Sequence, residues 1–255
     1  MKKSLLLGAV AVLALAAPGV ASAEMNGHVG AAWGWLDDDD DSDKEGVRSF
    51  DGAFTTPLHN NWIFQFDGTV TEMDHNSHSD SFANIQGHAV MRTDTHAFGG
   101  FFTAPHIGSD TFYGLGLEGA AYFSRFTWSG QIGAAWESND DSDQVFNLST
   151  RGDFFVNDNF SIGAELGWTD SEWETEEIVV GGINGEYQFN NSPFSVSLAW
   201  VHGDSDYDGG GSHEIDLITL GGRVNFGTAS LFERNRAGAS MVGFNNGVRD
   251  SILMW

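Results

Sequence analysis

Period-two alternation recurs along the chain from His28 to Phe226, and it commits the backbone to extended strand. Between Asn61 and Thr71, Trp62, Phe64, Phe66 and Val70 share one face, while Gln65, Asp67, Thr69 and Thr71 share the other. Trp128, Ile132, Ala134 and Trp136 oppose Thr127, Ser129, Gln131 and Ala135. Phe160, Ile162, Ala164, Leu166 and Trp168 oppose Ser161, Gly163, Glu165 and Gly167, and Phe194, Val196, Leu198 and Trp200 oppose Ser195, Ser197 and Ala199. Successive side chains of a strand point to opposite faces, whereas a helix would group apolar residues three or four apart. About twelve segments of this kind begin near His28, Val47, Trp62, Phe82, Ala97, Thr111, Arg125, Val145, Phe160, Glu177, Phe194 and Glu214. Each spans roughly ten residues, the length with which a tilted strand crosses a bilayer.

The start of the chain sets the compartment. Met1-Lys2-Lys3 is basic, Leu5 to Ala17 is apolar apart from Gly8, and Ala21-Ser22-Ala23 has the small-x-small form of a cleavage site. Residues 1–23 therefore read as a cleaved export signal, too short for a membrane helix. No later apolar stretch approaches a helical span, so any membrane crossing after residue 23 is made by strands. Cysteine is absent, which removes a disulfide framework. A formal charge of −25 excludes non-specific nucleic-acid binding and argues against a basic face docked on anionic lipid.

The connections alternate in kind. One set is turn-like: His59-Asn60-Asn61, Asp94-Thr95, Ser124-Arg125, Asn157-Asp158-Asn159 and Asn190-Asn191-Ser192-Pro193. Asn and Asp tolerate the left-handed geometry of tight turns. The other set is longer and holds most of the acids: Leu36 to Gly46, Asp74 to Asp80, His106 to Asp110, Glu137 to Asp143, Asp170 to Glu177 and Gly203 to Glu214. All the long loops are thus expected at one end. Aromatics near the segment ends, among them Trp33, Trp35, Trp62, Trp136, Trp168 and Trp200, fit two interfacial girdles. A soluble β-sandwich with the same faces buried is the competing architecture.

Signal, alternating strands, short turns and acidic long loops together resemble Gram-negative outer-membrane porins and porin-like barrels. Leu220-Gly221-Gly222-Arg223-Val224-Asn225-Phe226 resembles their last-strand assembly signal, apolar at alternate positions and ending in an aromatic. The resemblance is one of pattern over nearly the whole exported chain. It implies an all-β fold, a transmembrane antiparallel up-and-down β-barrel of about twelve strands over residues 24–226. It also implies an outer-membrane location among lipid and lipopolysaccharide, and passive diffusion of small solutes. A non-conducting structural or adhesive barrel is the alternative. The chain departs from the pattern by continuing to Trp255. Residues 227–255 contain Phe232-Glu233-Arg234-Asn235-Arg236 and are open to three readings: a periplasmic tail, a lumen insert or an extra strand.

The parity opposite the aromatics carries the candidate pore-lining residues Asp51, Gln65, Asp67, Gln86, His88, Arg92, Glu118, Gln131, Arg151, Asp153, Glu165, Glu186 and Arg223, with Gln188 and Asn225 beside them. Such a wall serves either to wet a pore or to close a narrow interior with ion pairs. Acids outnumber arginines on it, so a pore is expected to prefer cations. Asp204-Ser205-Asp206-Tyr207-Asp208-Gly209 begins like a calcium loop, but Glu214 falls one position short of the closing acid and strands replace the flanking helices. Asp204, Asp206 and Asp208 are retained as a weak Ca²⁺ or Mg²⁺ site, and His75 with His78 as a weaker metal pair. Neither G-x-S-x-G nor H-E-x-x-H occurs, and no catalytic residues are expected.

Overall fold

A computed structural model of the protein describes residues 25–38, 45–75, 78–107, 110–138, 144–171, 176–207 and 211–243. The expected export signal, most of the Asp37–Asp41 run, Asp140–Asp143 and Asp208 lie outside these residues.

Twelve antiparallel strands form one closed barrel in which every strand pairs with its sequence neighbours and β1 closes on β12. They are β1 (Asn26–Asp38), β2 (Glu45–Pro57), β3 (Trp62–His75), β4 (His78–Arg92), β5 (His96–Ile107), β6 (Asp110–Tyr122), β7 (Phe126–Glu137), β8 (Gln144–Asn157), β9 (Phe160–Ser171), β10 (Glu176–Gln188), β11 (Phe194–Tyr207) and β12 (Gly211–Phe226). The seam is in full register, from Gly27 opposite Phe226 to Asp38 opposite Ile215. Closure leaves no unpaired edge, so the backbone ladders need no water, apart from a gap at Ala104 and Pro105 between β5 and β6 and a register shift between Phe155 and Asn157.

The alternation assigns faces as expected. Outward residues Trp33, Phe102, Leu117, Trp128, Ile132, Leu166, Ile183, Leu198 and Leu220 are all exposed, Leu198 at 58% and Leu166 at 61%. A belt of this size exceeds what a soluble monomer presents to water. Closure of the sheet on itself excludes the sandwich, because no second sheet covers the belt. Hydrocarbon is the solvent that satisfies such a surface. At its margin Trp168 donates from Nε1 to Glu177 at 2.6 Å, and Trp200 donates to Asp216 at 3.0 Å. These rings sit where apolar wall gives way to polar wall.

The two ends differ. At one end the five connections are the tight turns, four of them holding Asn or Asp, with Asn60 (φ 58°), Asn61 (φ 64°) and Asn191 (φ 55°) in left-handed geometry. At the other end the expected long loops are shorter than the sequence suggests. Strands β11 and β12 stay paired from Phe194 opposite Val224 to Tyr207 opposite Gly211, and β3 and β4 to His75 opposite His78. Hydrophobic alternation ends where the belt ends, but the hydrogen-bonded ladder continues beyond it with acidic outward residues. The strands therefore run 12–16 residues, longer than the apolar pattern alone.

Candidate functional site

The bore has three levels. The first is the turn end, which the chain's own C-terminal segment enters. Gly227 (φ 75°) turns the chain away from β12, and a Cβ there would lie 2.2 Å from the Met25 carbonyl oxygen. A short helix, α1 (Leu231–Ala237), follows; the Ser230 hydroxyl caps it by accepting from the Glu233 amide at 3.1 Å. Leu231 is buried, and Phe232 packs edge-on against Phe155 with centroids 5.3 Å apart. The Phe232 amide donates to the Asp158 carbonyl at 3.0 Å.

Arginines hold this segment to the wall. Arg234 donates to both oxygens of Glu186, at 2.9 and 2.5 Å, and to Asn225 Oδ1 at 2.6 Å. Two-pronged charge-assisted bonds of this kind fix position as well as adding energy. Arg236 lies 4.8 Å from the Tyr122 ring centroid and donates to the Phe123 and Phe126 carbonyls. Beyond the helix, Arg92 donates to the Gly238 carbonyl at 2.8 Å and to Ser240 at 3.1 Å. Gln65 pairs with the Met241 backbone in both directions, at 2.6 and 3.1 Å. Gly243 (φ 66°) lies against Gln86 and His88 at mid-bore. Of the three readings of the extension, residues 227–243 take the lumen insert. Glu186→Gln is expected to weaken the hold on α1 by about 2 kcal/mol. Hydrogen exchange should then speed up across 231–241 and stay unchanged in the strands; equal protection in both proteins would contradict the clamp.

The second level is a polar chamber of about 280 Å³ above the insert. All thirteen candidate residues are inward-facing. Asp51, Gln65, Asp67, Gln86, Arg151, Asp153, Glu165, Glu186 and Arg223 line the chamber. Glu118 and Gln131 line a small side recess. His88 and Arg92 are buried beside the insert.

The wall acids are paired rather than free. Asp51 meets His28 at 2.9 Å and Arg223 at 3.3 Å. His88 lies between Asp67 (3.1 Å) and Glu118 (2.8 Å). Arg151 meets Asp153 at 2.8 Å and Glu165 at 3.5 Å, and Arg223 reaches Glu186 at 3.6 Å. The count that favoured cations omitted His28, His88 and the inserted Arg234. Each of these six carboxylates has a basic partner, so the wall itself lends cation preference no support.

The third level lies toward the loop end and is apolar, which the sequence reading missed. Leu36, Val47 and Met73 join Ile178, Val180, Val201, Ile215 and Leu217 in one buried cluster. Phe82, Phe101, Phe112, Ala135 and Val145 form another on the opposite strands. Together they place an inward apolar side chain near the loop end of every strand except β5 and β9; Phe101 of β5 stands opposite His88 and reaches its cluster from mid-bore. The available signal was a break in alternation: Val179-Val180, Phe101-Phe102, Val145-Phe146 and Leu217-Ile218 are apolar on both parities.

Asp204 stands opposite Glu214 and Asp206 opposite Ser212 in a regular ladder, and Asp208 lies outside the described residues. Asp204 shares the outer face with His202 and Glu214, whose ligand atoms lie within 4.8 Å of one another. The side chains of Asp206, His75 and His78 lie outside the described residues.

No family model and no curated relative matches the sequence. Solved structures do match. The COG4313 outer membrane channel from Pseudomonas putida F1 aligns with a TM-score of 0.61 at 11% identity, over 80% of this chain and 95% of that one. The NanC porin aligns at 0.60 and 9% identity, over 77% and 98%. The KdgM porin aligns at 0.54 and 10% identity, over 77% and 99%. At these identities the likeness is one of architecture, and the chain has the closed β-barrel fold of outer-membrane porins and channels.

Proposed function

We propose that the protein is an outer-membrane channel for passive diffusion of small solutes, with its periplasmic mouth occupied by its own C-terminal segment. The observation that carries this reading is the chamber inside an apolar-belted barrel. A merely structural barrel would fill that space with side chains, as a narrower eight-stranded bore does. Structural likeness to porins and channels supports the same reading. The turn end faces the periplasm and the acidic end faces out, the usual orientation of such barrels. The mature protein follows removal of residues 1–23.

Charge preference, on this reading, belongs to the acidic rim and not to the wall. It should be weakly cationic and fade as salt screens the rim. The rim's His202, Asp204 and Glu214 are the proposed place for weak Ca²⁺ or Mg²⁺ binding, beside the Asp204, Asp206 and Asp208 set read from the sequence. Reconstituted into planar bilayers, the protein should show discrete current steps and a small reversal potential of cation sign. A folded barrel that carries no current under any condition overturns the channel.

Topology has its own test. The native chain lacks cysteine, so single cysteines report without interference. Asp204→Cys should react with an impermeant thiol reagent on intact cells, and Asp94→Cys at a turn should not. Asp204 is the better reporter than Ser205, which faces inward and is buried. The reverse labelling pattern would invert the orientation.

A further inference from the structure

We propose that the apolar level is a filter, and that the chamber behind it takes small solutes with a compact apolar body in preference to sugars and hydrated ions. The inference rests on the channel reading above and adds the class of solute. With residues 227–243 in the turn end, entry to the chamber from the loop end requires the level formed by the two buried apolar clusters to open. Leu217 and Val201 belong both to that level and to the chamber lining.

The physical chemistry of that passage is one-sided. A hydrated ion or a sugar must shed water there against mostly apolar side chains, with Thr71, Asn147 and Thr169 the few polar groups among them, which is costly. Apolar constrictions of this kind are poorly wetted, and so slow hydrated ions relative to apolar solutes. A solute with an aliphatic or aromatic body loses little water and buries apolar surface against Val180, Val201 and Leu217. Beyond the filter, the paired arginines and carboxylates present donors and acceptors with nearly balanced charge, suited to a neutral or zwitterionic polar group. The solute class is therefore a small amphiphile: an apolar body with a compact polar head.

The test uses the full chain carrying Ser197→Cys, whose side chain faces the chamber. Proteoliposomes are treated from the loop side with benzyl, hydroxyethyl or trimethylammonium-ethyl methanethiosulfonate. Each rate is divided by that of the same reagent at the exposed loop-end Asp204→Cys, which removes intrinsic reactivity. The benzyl reagent should be favoured by at least about tenfold, the discrimination a modest apolar contact supplies. Adding Leu217→Ser should collapse that preference, and Val201→Thr, nearly isosteric and so safer for folding, should reduce it. Reaction at equal normalised rates, or a preference unchanged by both variants, overturns the filter and leaves the channel standing. No reaction with any reagent overturns both.

Discussion

An arginine at Leu198 is expected to destabilise the refolded barrel by about 2–4 kcal/mol, the cost of a cation near the midplane on the lipid face. The same residue at Ser197 should cost far less. Leu198 is 58% exposed on the outer belt, opposite Leu220, whereas its neighbour opens into the polar chamber. One step along the strand thus exchanges hydrocarbon for a hydrated interior. Glu165 is a poorer inward control than Ser197, because an arginine there would face Arg151, the present partner of Glu165. Urea titrations of the two variants in lipid vesicles give the comparison. Equal destabilisation at both positions would mean that both faces are packed alike, as in a soluble core.

The strand count, the faces and the closed barrel were legible because lipid and lumen impose opposite demands at every second residue. Trp62, Phe64, Leu166 and Leu198 could face hydrocarbon only if Gln65, Glu165 and Ser197 faced in. Strand ends were less legible. Beyond the girdles the contrast reverses: His202, Asp204 and Asp216 meet water outside while Val201, Ile215 and Leu217 are buried inside, although the ladder continues. The apolar level was hidden by the same contrast, since Val180 beside Val179 reads as a lapse in alternation rather than as a feature. Pairing was invisible too. That Asp51 meets Arg223 from β12, or Glu186 meets Arg234 from α1, depends on closure and on the course of the tail, which no local pattern encodes. The arginines of 232–236 stood out in sequence, but the contacts that draw the tail inward, Gln65 to Met241 and Arg92 to Gly238, span 176 and 146 residues.

Removing residues 227–255 is expected to convert a closed or rarely open bore into a persistently open one. The segment fills the turn end from Gly227 to Gly243 and is tied to strands β3, β4, β10 and β12 by Gln65, Arg92, Glu186 and Asn225. Its loss also frees carboxylate Glu186 from its closest arginine, leaving Arg223 at 3.6 Å. Twelve strands enclose a bore wider than that of eight and narrower than that of the large porins, so the open current should be modest. The barrel should still form, because all twelve strands and their seam lie within residues 26–226. Retained heat-modifiable migration shows that it has. The decisive measurement is planar-bilayer conductance of the full chain and the truncated chain side by side. The account predicts an increase of at least an order of magnitude on truncation. Equal currents from two folded proteins would show that the C-terminal segment does not close the channel.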